Sequence, residues 1–86
     1  DLALLVDRNI RFRQIRDLAF RTAKNILKEV GLFDVYESES LGINKKSYAV
    51  SFTLRDDLQT MTDRIIDKVM NNLIRVYEKE LDAKIR

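Results

Sequence analysis

Ser47 to Leu54 (SYAVSFTL) alternates without a break, with Tyr48, Val50, Phe52 and Leu54 on one side and Ser47, Ala49, Ser51 and Thr53 on the other. Successive side chains of a strand point to opposite faces. The segment therefore predicts a half-buried strand, apolar toward a core and small and polar away from it. A sheet built around such a strand has one face to cover and one left open, and the rest of the chain must supply the cover.

Two segments have the right period. Ile15, Leu18, Ala19, Thr22, Ala23, Ile26, Leu27 and Val30 recur at three- and four-residue steps, which predicts an amphipathic helix over 12–30 stopped at Gly31 in a left-handed conformation. Ile66, Val69, Met70, Leu73, Tyr77 and Leu81 predict a second helix over 63–81, with Thr62 as N-cap and Met61 stapled against Ile66. Asp1–Val6 (DLALLV), Leu32–Ser38 (LFDVYES) and Ala83–Arg86 (AKIR) read as further strands. Glu39–Lys46, with Gly42 and Asn44, and Arg55–Met61 read as connections. The order β-α-β-β-α-β predicts an α+β, ferredoxin-like (RRM-like) fold, a four-stranded antiparallel sheet with two helices on one face.

Eighty-six residues allow one small domain over 1–86, and 45% hydrophobic residues are too many for a disordered chain. The absence of Cys and His removes disulfides, thiol chemistry, zinc sites and histidine base catalysis, and with them a metal carrier or free-standing enzyme. No run of eighteen apolar residues is present and no signal peptide is recognisable, so no membrane partner is expected. The chain opens at Asp1 rather than Met, the start expected of a fragment. A net charge of +2 is permissive for nucleic acid and no more.

Alternation sorts the strand residues into two sets. Leu2, Leu4, Val6, Phe33, Val35, Ala83 and Ile85 are expected to face the helices. Asp1, Ala3, Leu5, Asp34, Tyr36, Lys84 and Arg86 are expected outward, beside Ser47, Ala49, Ser51 and Thr53. A one-residue slip would invert any strand. The resulting open face holds one aromatic ring, an acid, small residues and two cations. An RNA-binding sheet uses such a surface, where a ring stacks an unpaired base and polar groups read its edge. An exposed Tyr among Ser and Thr is also ordinary on an antiparallel sheet.

Leu32-Phe33-Asp34-Val35-Tyr36, Lys45-Lys46-Ser47-Tyr48-Ala49, Thr60-Met61-Thr62-Asp63 and Ala83-Lys84-Ile85-Arg86 occur in this order across essentially the whole chain. Together they resemble the ferredoxin-fold anticodon-binding domain that closes the beta subunit of bacterial phenylalanyl-tRNA synthetases. The chain departs from that pattern at three places. Asn44 stands near a usual Gly, Tyr48 replaces a core Leu, and Asp82 replaces the Gly before the last strand. The resemblance implies that Tyr36 stacks on the first anticodon base, a guanine, that Asp34 reads its edge, and that Ala3, on the neighbouring strand, lets the base lie flat. It also implies a larger beta chain, an alpha subunit in an alpha2-beta2 enzyme, a cytoplasmic location, and ATP and magnesium used by the intact ligase, with no cofactor in this segment. The partner it implies is the anticodon stem-loop of the tRNA for phenylalanine.

The remaining charges have plainer readings. Arg8, Arg11, Arg13, Arg16, Arg21, Lys24 and Lys28 surround the first helix and its start, where a solvated face with pairs such as Asp17–Arg21 is expected over a phosphate-binding edge. Lys45 and Lys46 are the better phosphate candidates. Asp56 and Asp57 read as solvent-exposed turn residues rather than a metal pair. The competing function is a ferredoxin-like small-ligand regulatory or dimerisation domain, for which Gly31 and Gly42 are the only glycines available.

Overall fold

The computed structural model describes residues 2–37, 42–58 and 60–85. Its elements are β1 (Leu2–Asp7), α1 (Phe12–Thr22), β2 (Leu27–Tyr36), β3 (Lys45–Leu54), α2 (Asp63–Leu81) and β4 (Lys84–Ile85). They form one antiparallel sheet in the order β2-β3-β1-β4, the ferredoxin-like arrangement expected. Parts of the predicted elements at Asp1, Ser38 and Arg86 lie outside the described residues.

The core is laid down by the stripes and by alternation. Leu4 and Val6 of β1 and Val50 of β3 meet Ile15 and Ala19 of α1 and Leu73 and Tyr77 of α2, and all seven are wholly excluded from solvent. At about 25 cal/mol per Å² of apolar area, each large side chain among them contributes roughly 1.5–3 kcal/mol. Two buried tyrosines satisfy their hydroxyls on carbonyls. Tyr77 donates to Ile15 O at 2.8 Å, tying α2 to α1, and Tyr48 donates to Ile10 O at 2.6 Å, tying the sheet to the start of α1. Burial pushes the Tyr77 phenol well above the usual tyrosine range. Tyr48, the departure from the family's Leu, thus fills a core position and gains a polar partner.

Helix α2 covers the predicted span. The Thr62 hydroxyl accepts from Ile65 N–H at 3.3 Å, an N-cap worth about 1 kcal/mol. Asp82 closes the helix in the left-handed region at φ 51°, where glycine is the easier residue, and Ala83 N–H donates back to Tyr77 O. Asn44 likewise takes φ 63°, and its carbonyl accepts from Arg8 N–H at 2.7 Å, so the turn before β3 survives without glycine there.

Helix α1 is shorter than expected. It ends at Thr22, and Ala23 O accepts from both Ile26 N–H and Leu27 N–H to turn the chain into β2. Leu27 and Val30 are strand residues. They lie three apart, a helical step, because a register shift leaves Lys28 as an extra residue between Leu27, opposite Leu54, and Glu29, opposite Thr53. A bulge of this kind puts two apolar residues three apart on one face of a strand. Gly31 therefore stops no helix. It sits mid-strand opposite Ser51, where an added Cβ would come within 2.7 Å of Ser51 Oγ.

A second shift leaves Phe33 as the extra residue between Leu32, opposite Val50, and Asp34, opposite Ala49. The expectation that Phe33 and Val35 enter the core is corrected. Phe33 is 62% exposed as a bulge residue, and Val35, though in register with Tyr48, is 46% exposed at the end of an edge strand. Strand β4 is two residues long, and Ile85, opposite Leu4, is only partly covered.

Candidate nucleic-acid interface

Directly paired residues of an antiparallel sheet share a face. Leu2, Leu4 and Val6 pair with Val50, Tyr48 and Lys46, so this row set belongs to the helix side. The complementary set is the open face. One of its rows runs Tyr36, Ser47, Leu5, Lys84 across β2, β3, β1 and β4, and the next runs Asp34, Ala49, Ala3. Gly31 and Ser51 form a third row and Glu29 and Thr53 a fourth.

Tyr36 and Asp34 are both exposed on this face, two residues apart on one strand and so about 7 Å apart along it. A base lying on the Tyr36 ring would carry its edge toward the Asp34 carboxylate. Beside them Ala49 and Ala3 are half-buried and add no height. An acceptor at one end of a small-residue lane, with a flat ring in the adjoining row, is a geometry that can admit one splayed-out base.

Several predicted site residues sit differently. Ala3 does not neighbour Tyr36, because the topology inserts β3 between β1 and β2, and Ala3 lies in the Asp34 row with Ala49 between them. Ser47 is opposite Tyr36, as the faces require, but is 4% exposed between the larger Tyr36 and Leu5, so it forms floor and not a contact surface. Lys45 and Lys46 are separated because β3 begins at Lys45, which extends the alternation to them. Lys46 falls on the helix side, its ammonium 4.8 Å from the Tyr48 ring centroid. Lys45 falls on the open face and donates to Asp7 Oδ1 at 2.6 Å. That hydrogen bond, ahead of the Asp7 charge itself, raises the Lys45 pKa above its ordinary value. Lys84 is exposed opposite Leu5. Arg86 lies outside the described residues. Glu29 and Gly31 join the face unforeseen, since Leu27–Gly31 reads as helix until the Lys28 bulge is known.

Three of the seven cations around α1, Arg8, Arg13 and Arg16, stand in ion pairs. Asp17 pairs with Arg13 at 3.8 Å and Arg16 at 3.6 Å rather than with Arg21. Arg8, beyond the end of β1, pairs with Glu37 at 3.5 Å. Asp57 pairs with Arg55 at 3.0 Å, and Asp56 Oδ1 accepts from Leu58 N–H at 2.9 Å, so the two carboxylates serve their own turn. Among the described residues no group of three His, Cys, Asp or Glu could hold a metal ion. No helix among them is long and apolar enough to cross a membrane.

Comparison with known proteins agrees with this fold. The model of the ferredoxin-fold anticodon-binding domain family matches residues 1–86. The phenylalanine–tRNA ligase beta subunits of Bacteroides thetaiotaomicron and Bacteroides fragilis are each 52% identical over 86 residues, covering the whole of this chain and 10% of theirs. That of Porphyromonas gingivalis is 45% identical over the same span, again 10% of its length. The chain thus spans about a tenth of the curated relatives it matches. With its fold, its open face and this match in hand, the chain belongs to the ferredoxin-fold anticodon-binding domain family.

Proposed function

We propose that this chain is the anticodon-reading domain of a phenylalanine–tRNA ligase beta chain, and that its open sheet face takes the anticodon of the tRNA for phenylalanine. The carrying observation is the exposed Tyr36–Asp34 pair beside a lane of small residues, in a chain of an anticodon-binding family. Tyr36 supplies the stacking plane and Asp34 the edge contact. A carboxylate accepts hydrogen bonds from guanine N1–H and N2–H₂, a donor pair adenine lacks, so Asp34 favours G over A. Ala49 and Ala3 leave room beside the base, and Lys84, three strands from Tyr36, marks the far rim. The domain performs no chemistry of its own. Joining phenylalanine to its tRNA with ATP and magnesium belongs to the rest of an alpha2-beta2 enzyme in the cytoplasm, of which this domain is one segment.

The test is an NMR titration of the 86-residue chain with anticodon stem-loops carrying G or A at the first anticodon position. Tyr36→Ala is expected to weaken both, by roughly 5- to 150-fold, since stacking contributes about 1–3 kcal/mol per base and is nearly blind to base identity. Asp34→Ala is expected to cut the G-over-A ratio about tenfold while leaving the A stem-loop nearly unchanged. Unchanged affinities in both variants would remove the open face from the anticodon site.

A further inference from the structure

On the helix side, away from Tyr36 and Asp34, the turn after α1 and one flank of α2 enclose an open cleft of about 970 Å³. Lys24 of the turn and Arg64, Lys68 and Arg75 of α2 line it, against the single carboxylate of Asp67. That is an excess of three positive charges in a chain whose formal net charge is +2, so everything outside the cleft sums to −1. Among the described residues the ion-paired cations are Arg8, Arg13, Arg16, Lys45 and Arg55, and none of the four cleft cations is among them. All four are exposed. Among the described residues the open sheet face carries no such surplus, since Asp34 and Glu29 stand there against Lys84, and Lys45 is tied to Asp7. A polyanion therefore finds its attraction behind the sheet and not on it.

We infer that this cleft is a second RNA contact, holding the phosphodiester backbone without regard to sequence. The inference rests on the proposed role of the domain as a tRNA reader. Three observations favour a phosphate chain over an acidic protein surface. Arg64, Lys68 and Arg75 span about 16 Å along one helix, a row suited to a linear polyanion. The amides of Asn25, Asn71 and Asn72 stand among these cations and can donate to phosphate oxygens. Ile26, Ile65 and Val69 of the cleft are half-buried and no large apolar residue is exposed there, so the aromatic or aliphatic anchor of a protein interface is missing. The helices and the open face lie on opposite sides of the sheet, so the backbone held here belongs to a different stretch of RNA from the stacked base.

The test compares the wild-type chain with a variant carrying Lys24→Gln, Arg64→Gln, Lys68→Gln and Arg75→Gln, titrated with the anticodon stem-loop, a uridine homopolymer and polyglutamate across a salt series. Each phosphate neutralised contributes about 0.7 (single strand) to 0.9 (duplex) to the slope of log K against log salt. The variant is expected to bind both RNAs more weakly, with a slope shallower by about 3, and to keep its G-over-A preference. Far-ultraviolet circular dichroism should match the wild type, as the four side chains are exposed. A double variant, Lys24→Gln with Arg75→Gln, should lose about half the slope change. An unchanged slope in both variants overturns the proposal. So does wild-type binding of polyglutamate that falls with the variant by the same factor as RNA binding, which would assign the cleft to an acidic protein. If Asp34→Ala and Tyr36→Ala leave the stem-loop untouched while the slope still follows the cleft, the sheet reading fails and this one stands.

Discussion

Strands β2 and β3 are each ten residues long and pair with each other for most of their length, yet they obey different rules. β3 lies inside the sheet, hydrogen-bonded on both sides, and alternates from Lys45 to Leu54 with no extra residue against β1. β2 is an edge and carries extra residues at Lys28 and Phe33. An inner strand must satisfy two neighbours at once, so a bulge there would disturb two ladders. An edge strand has only one partner, and bulges on it disrupt the template it offers to other chains. The two proposed RNA-reading side chains sit immediately after the second bulge, where the edge can be re-aimed without disturbing the core.

Single-residue deletions test this difference with the largest contrast. Deleting Ala49 shifts one half of β3 against the other. Either Val50, Phe52 and Leu54 or Tyr48 then leaves the core, at roughly 1.5–3 kcal/mol for each side chain besides the broken pairing. The expected result is a loss of at least about 3 kcal/mol by urea denaturation. Deleting Phe33, in the adjoining row of β2, leaves Leu32 opposite Val50 and Asp34 opposite Ala49, and makes the pairing regular. The expected cost is about 1 kcal/mol or less by urea denaturation. Equal collapse in both deletions would mean that the Phe33 bulge is required by the fold.

A gentler version uses one substitution on both strands. Val50→Ala removes two methyl groups from a site with no solvent contact and should cost about 2–3 kcal/mol, or roughly 10–20 °C in Tm. Val35→Ala, on the same side of the sheet but 46% exposed, should cost under about 1 kcal/mol. Matching Tm losses would show that the end of β2 is covered as well as β3 is.

The same contrast explains what was legible in the sequence. α2 and β3 were readable because each keeps one period throughout and α2 carries its own N-cap at Thr62. The boundary between α1 and β2 was not. Ala23-Lys24-Asn25 offers neither glycine nor proline, and the bulge at Lys28 spaces Leu27 and Val30 as a helix would. Asp34 and Tyr36 were placed on the open face because they follow the bulge and alternate normally from there. Ala3 was misplaced because chain order is not sheet order in a split βαβ fold. Lys46 was misplaced because β3 starts two residues earlier than its apolar pattern does. The cleft cations on α2 have a sequence signal of their own, since Arg64, Lys68 and Arg75 at steps of four and seven mark one helical flank.

The smallest expected effect distinguishes how the two strands are pinned at their ends. β3 starts at Lys45, whose ammonium donates to Asp7 at 2.6 Å and whose pKa is raised by that bond. A lysine held protonated by a folded-state partner adds stability that is fully present below its unfolded pKa, near 10.5, and is lost as pH rises through the higher folded value. The Tm difference between wild type and Lys45→Gln should therefore be positive and flat from about pH 7 to pH 10, and shrink above that. Subtracting the variant's curve removes every pH-dependent contribution that the two proteins share. The difference should be modest and decline with salt, because the pair is solvent-exposed. A difference that vanishes below pH 9, or one that persists undiminished to pH 12, would mean that the Asp7–Lys45 bond does not hold the start of β3.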